Sequence, residues 1–96
     1  MRYLVVDGAL HGTGIRDCYE GGYIDPESLG LQRDLIVRID AWLSRYENEH
    51  YNSFEDAKEI HELDEEGKEI AILVKKQIGE AKVDYYSAAK LTKSSI

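Results

Sequence analysis

The sequence predicts a small α+β domain of order β-β-α-α-β, with two helices packed on one face of a three-stranded sheet. Three observations predict it. An apolar, β-branched run, Tyr3 to Val6, opens the chain and closes on Asp7-Gly8. Two long segments after Gln32 then repeat apolar residues every three or four positions. A second short apolar run, Lys82 to Tyr86, follows the helix stop at Gly79.

Taken in order, Tyr3–Val6 has the composition of a buried strand. The stretch from Gly8 to Gly22 holds five glycines, a density that marks turns and bulges. Within it Ile15–Tyr19 can form a second strand, with Ile15, Asp17 and Tyr19 on one side and Arg16 and Cys18 on the other. It lies close enough to the first to make an antiparallel hairpin. Asp25-Pro26-Glu27-Ser28 places the only proline where a helical turn begins.

From about Gln32 to Glu49–Tyr51, the residues Leu35, Ile36, Ile39, Trp42, Leu43 and Tyr46 form one stripe, with charged and polar residues opposite. Asn52-Ser53 interrupts it, and Ser53 with Asp56 can cap the next helix. The second stripe runs Ile60, Leu63, Gly67, Ile70, Ala71, Val74, Ile78, with acids at its start and Lys75 and Lys76 in its last turns, as the helix dipole favours. Gly67 lies on the buried stripe, where it costs about 1 kcal/mol relative to Ala, so close packing against a neighbour should explain it. The final strand can pair with the first in either direction. Residues 88–96 read as a polar, flexible tail to a single domain spanning 1–96.

The chain has 96 residues and a net charge of −7. One quarter of it, Tyr46 to Glu69, holds ten Asp or Glu against two Lys, so the rest of the chain is nearly neutral. An acidic balance argues against direct binding to nucleic acid, which needs clustered Lys and Arg, and for a basic partner. A single cysteine excludes an internal disulfide framework. No apolar run approaches the length of a membrane span, and no leader pattern opens the sequence. These features lead us to expect a cytoplasmic protein without membrane contact.

Catalytic signatures are weak. The glycine-rich GALHGTGIR lacks the Lys-Ser or Lys-Thr of a phosphate loop, and a strand rather than a helix follows it. His11, His50 and His61 are scattered. His61, Asp64 and Glu65 share one helical turn, but a catalytic zinc wants more imidazole. DEEGKE lacks the alternating acids of a calcium loop. Cys18 sits beside Asp17, which disfavours a thiolate. No catalytic residue, metal ligand set or cofactor is therefore expected. Tyr51 and Phe54 lie in the acidic connection between the helices, either as exposed interface anchors or as a staple closing the turn.

The segments EGGYIDPESLGL, LIVRIDAWLSRYENEHY, ELDEEGKEIAILVKKQI and KVDYYS together resemble the small bacterial immunity proteins of contact-dependent growth inhibition and related polymorphic toxin systems. The resemblance runs from about Tyr19 to Ser87 and rests on scaffold features. Members often carry Ser or Thr after Leu-Gly-Leu; Gln32 stands there in this chain. It implies a non-enzymatic protein that binds one cognate toxin domain, often a nuclease, one to one, and covers its active site or substrate path. The toxin-binding residues would then be Tyr51, Phe54, Glu55, Asp56, Glu59, Glu62, Asp64, Glu65 and Glu66. Of these, Glu55, Glu59, Glu62 and Glu66 have the spacing of one helical face. The bland account is that these acids solubilise a helix and favour its N-terminus. Two other classes stay open: an adaptor for a different basic protein, and a small metal-binding enzyme using His50 and His61.

Overall fold

The computed structural model describes all 96 residues. The elements are β1 (Arg2–Asp7), β2 (Ile15–Asp17), a 3₁₀ turn (Pro26–Leu29), α1 (Arg33–Tyr51), α2 (Ala57–Ile78), β3 (Ala81–Ser87) and β4 (Thr92–Ser95). The α+β class and the helical pair are as expected, but the sheet has four strands, in the order β2-β1-β3-β4. The expected tail, residues 88–96, contains β4. It folds back antiparallel on β3, with Tyr85 opposite Ser94 and Ser87 opposite Thr92. Its polar sequence, TKSS, is that of an edge strand whose side chains are mostly solvated.

β1 pairs with β2 antiparallel and with β3 parallel. The parallel pairing follows from reversals of direction. β1 to β2, β2 to α1, α1 to α2 and α2 to β3 each turn the chain back, and four reversals restore the starting direction. The reversal of α2 on α1 appears in the contacts: Arg45 reaches Glu59, while Arg38, earlier in α1, reaches Glu69, later in α2. β2 is shorter than expected because the Asp17 carboxylate accepts from the amides of Tyr19 and Glu20 and bends the chain away.

Both apolar stripes face the same side of the sheet. Leu35, Ile36, Ile39, Trp42 and Tyr46 of α1 and Leu63, Ile70, Ala71 and Val74 of α2 share one core with Leu4, Val6, Val83 and Tyr85. Trp42, fully buried, satisfies its indole N–H on the Leu63 carbonyl at 2.8 Å. Gly67 is explained as expected: a methyl there would lie 2.2 Å from Tyr85 Cε1, so only glycine lets α2 lie down on β3.

The turn between helices departs from expectation at its cap. Asp56, not Ser53, is the N-cap of α2, accepting from the Glu59 amide at 3.1 Å. Ser53 and Phe54 instead take left-handed backbone conformations that turn the chain, and the Phe54 amide closes on the Glu49 carbonyl. α1 begins at Gln32 without a side-chain cap; the Gln32 amide donates to Gln77 Oε1 from the end of α2.

Candidate functional site

The acidic quarter of the sequence does not form one acidic face. Glu59 and Glu66 turn toward α1, where Arg45 bridges both at 2.6 and 3.0 Å. Arg38 adds a second bridge between Glu66 and Glu69, at 3.3 and 2.7 Å. The result is a chain of alternating charges along the seam between the helices. It holds both guanidiniums above their ordinary pKa, for Arg45 through its hydrogen bond to Glu59, and for Arg38 because the bonds to Glu69 and Glu66 outweigh its burial. The expected face of Glu55, Glu59, Glu62 and Glu66 is therefore divided. Glu55 precedes α2 altogether, and of the three helical members only Glu62 is exposed and free of ion pairs.

Asp64 is corrected more sharply. It is 3% exposed and lies under α2, facing the sheet. Tyr46 and Tyr85 hydroxyls donate to Oδ1 at 2.8 and 2.6 Å, and Ser87 Oγ donates to Oδ2 at 2.8 Å. Burial, reinforced by the bonds to the carboxylate, raises the pKa of both phenols, with the Ser87 and Ala89 bonds opposing the rise at Tyr46. Asp64 is thus a polar tie between α1, α2 and β3, out of reach of any macromolecular partner. Glu65 is exposed and lies 3.9 Å from Lys68.

Of the expected residues that remain exposed, Tyr51, Glu55 and Asp56 gather at the hairpin tip. Tyr51 is 69% exposed at the end of α1. With Asn52, Ser53, Glu55 and Asp56 it lines a shallow open depression. Neither Glu55 nor Asp56 is ion-paired, although Asp56 also serves as the cap. Phe54 takes the staple role: it is half-buried, edge-on to His50 at 4.8 Å and to Tyr46 at 6.5 Å. The two aromatics that looked equivalent in sequence therefore separate into one anchor-like residue and one structural residue.

The histidines have separate duties. His50 Nε2 bonds the Gly8 carbonyl at 2.9 Å, fastening α1 to the glycine-rich loop. A methyl at Gly8 would lie 2.5 Å from the Tyr46 ring, so the loop's first glycine serves this close approach. His61 lines a polar cleft of about 90 Å³ between α2 and β4, with Asp64, Ser87, Lys90, Thr92 and Ser94. Serine, histidine and carboxylate meet there, but Ser87 donates directly to Asp64 and accepts the Lys90 amide, so no serine-to-imidazole relay is formed. No group of three His, Cys, Asp or Glu side chains is arranged to hold a metal ion. Cys18 is exposed. No helix is long and apolar enough to cross a membrane.

The sequence reading missed the far side of the sheet. Alternation along the strands puts Tyr3, Val5 and Asp7 of β1, Lys82, Asp84 and Tyr86 of β3, Arg16 of β2 and Lys93 of β4 on the face away from the helices. Asp7 and Asp84 are 1% and 2% exposed. Tyr23 donates to Asp7 at 2.9 Å and Arg16 lies 3.6 Å from it. Burial first, then the Asp7 charge and hydrogen bond, pushes the Tyr23 phenol up to about 12. Tyr3 donates to Asp84, and Lys93 lies 3.3 Å from the same carboxylate. The bond to Tyr3, then that to Asp84, raises the Lys93 pKa. The other oxygen of Asp84, and Oε1 of the buried Glu49, have no hydrogen-bond partner. The signal for this face was present in KVDYYS, where Lys82, Asp84 and Tyr86 alternate with Val83 and Tyr85.

Comparison with known proteins finds no family model that matches the chain and no curated protein that matches it in sequence.

Proposed function

We propose that the chain is an immunity protein that binds one cognate toxin domain, a basic nuclease, and blocks its active site or substrate path. The observation that supports this most is the hairpin tip. It offers an aromatic ring, Tyr51, 69% exposed beside the unpaired carboxylates Glu55 and Asp56. Aromatic rings concentrate binding energy, and charges around them steer approach and select the partner. A nuclease cleft is lined with Lys and Arg to hold a polyanion, so Glu55, Asp56 and Glu62 take the place of phosphates on that surface. The resemblance in scaffold from about Tyr19 to Ser87 supports the same reading.

The footprint is smaller than the acid content suggests. Glu59 and Glu66 belong to the helix seam, and Asp64 to the interior, so the binding surface is Tyr51, Glu55, Asp56, Glu62 and Glu65. The test is a pull-down with this protein as bait from its source strain after induction of the strain's toxin genes. Recovery of one basic toxin domain in stoichiometric amount, with rescue of growth when the two are co-expressed, is the expected result. Recovery of a housekeeping protein without any growth rescue refutes the immunity reading and favours an adaptor for another basic protein.

A further inference from the structure

We infer that the open face of the sheet is a second docking surface, and that its occupant is an acidic polypeptide segment. This face is independent of the hairpin tip and lies on the other side of the molecule from the helix seam. Both helices pack against Leu4, Val6, Val83 and Tyr85, so no helix lies on the opposite face; there Lys82 is exposed and Tyr3 and Tyr86 are half-buried, above the buried Val5 and Asp84. This helix-free layer is ordered like a site. Two buried carboxylates fasten it: Asp7 holds Tyr23 and Arg16, and Asp84 holds Tyr3 and Lys93. Tyr19, 72% exposed, stands edge-on to Tyr3 at 5.7 Å. Phenols fixed by buried partners present contact area with little rotamer entropy left to lose on binding.

The chemistry of the occupant follows from which charges are visible. Formally Asp7 and Asp84 balance Arg16 and Lys93, but the carboxylates are buried while the cations are not: Arg16 and Lys93 side chains keep 35% and 48% of their exposure. Lys82 makes no ion pair; its ammonium rests over the Tyr3 ring, 4.6 Å from the centroid. A partner therefore meets cations and phenols on this face. Carboxylates spaced along an extended or loop segment suit Arg16, Lys82 and Lys93, with apolar side chains between the rings.

Two other occupants fit less well. Single-stranded nucleic acid needs open ring faces for stacking. Here Lys82 and Lys93 both lie over the Tyr3 ring, at 4.6 and 5.4 Å. A second copy joined face to face by two-fold symmetry would set the same three cations near one another.

The experiment is a titration of the ¹⁵N-labelled full chain with an N-acetylated octapeptide of alternating glutamate and leucine, and separately with octauridylate. The expected result is saturable, salt-sensitive amide shifts confined to β1–β4 and the Cys18–Tyr23 loop. Lys82→Glu, which breaks no ion pair, should weaken peptide binding roughly tenfold with an unchanged melting temperature, while Glu62→Lys leaves it intact. A Tyr19→Ala variant should also weaken it, independently of charge. Absence of saturable shifts at millimolar peptide, shifts that survive Lys82→Glu, or saturable binding of octauridylate in preference to the peptide would each overturn the proposal.

Discussion

Replacing Gly67 by alanine separates two accounts of why a glycine sits in the middle of α2. On helix propensity alone, alanine is favoured by about 1 kcal/mol, so Gly67→Ala should stabilise the protein by that amount. The packing says otherwise. The new methyl would lie 2.2, 2.6 and 2.8 Å from Cε1, Cζ and Oη of Tyr85. Tyr85 cannot give way cheaply: it is 1% exposed, its ring lies against Trp42 at 6.2 Å, and its hydroxyl is bonded to Asp64 at 2.6 Å. Overpacking of this kind costs about 1–3 kcal/mol, and losing a hydrogen bond to a charged group adds about 1.5–3 kcal/mol. Set against the propensity gain, the net expectation is a loss of about 1.5–5 kcal/mol. Equilibrium denaturation in urea measures it, with near-ultraviolet circular dichroism of Trp42 to detect displacement of α2. In a Tyr85→Phe background the ring is no longer tied to Asp64, so the cost of Gly67→Ala should fall. A Gly67→Ala protein as stable as the parent, or more so, would refute the claim that close approach to Tyr85 requires this glycine.

Other expectations can be measured on the same protein. Asp64→Ala leaves three buried hydroxyls without their acceptor and should cost about 3–5 kcal/mol in urea denaturation, whereas Asp64→Asn keeps an acceptor and should cost less. Because Tyr23, Tyr46 and Tyr85 have folded pKa values raised above the ordinary value near 10, their contribution is complete below pH 10. It should be lost as pH rises through the folded values, about 12 for Tyr23; melting temperature against pH, with tyrosinate absorbance, checks this. Glu49 is 6% exposed with one oxygen unpaired, so Glu49→Gln should raise stability, by about 1 kcal/mol; a loss of stability would show that its charge has a partner. With a basic partner in hand, Glu55→Lys and Glu62→Lys should slow association, while Glu59→Lys should lower the melting temperature by disrupting the bridges to Arg45.

Much of the fold was legible because the signals were local and redundant. Both helical stripes, the stop at Gly79 and the Asp25-Pro26 entry each rest on residues within a turn or two of one another, so the pattern determines the element. β4 was not legible for the same reason in reverse. TKSS has no apolar periodicity, and it becomes a strand because β3 offers it an unpaired edge and Ile96 reaches the core. The direction of β3 was open for a related reason. The fifteen-residue connection Cys18–Gln32 is long enough to deliver α1 from either end of the sheet, so the number of reversals could not be counted from sequence.

The site was less legible than the fold, and the reason is electrostatic. A count of acids measures what a segment carries, not what it presents. The window from Tyr46 to Glu69 has few cations of its own, and its neutralising charges sit outside it. Arg38 and Arg45 lie earlier in α1 and appear in the sequence as ordinary polar-side residues of a different helix. Once α1 and α2 pair antiparallel, two arginines hold three glutamates, and exposed bridges of that kind contribute only about 0.2–1 kcal/mol each. Their larger effect is on the charge that a partner meets: they neutralise Glu59, Glu66 and Glu69, and leave Glu55 and Asp56 at the tip and Glu62 on α2 without ion pairs. The same separation of carried from presented charge operates with opposite sign on the sheet, where Asp7 and Asp84 are buried and Arg16, Lys82 and Lys93 remain in view. A chain with a net charge of −7 thus presents an acidic aromatic tip at the helix turn and a cationic tyrosine face on the sheet. Mutations that change only the buried carboxylates should alter stability, and those that change only the visible charges should alter binding.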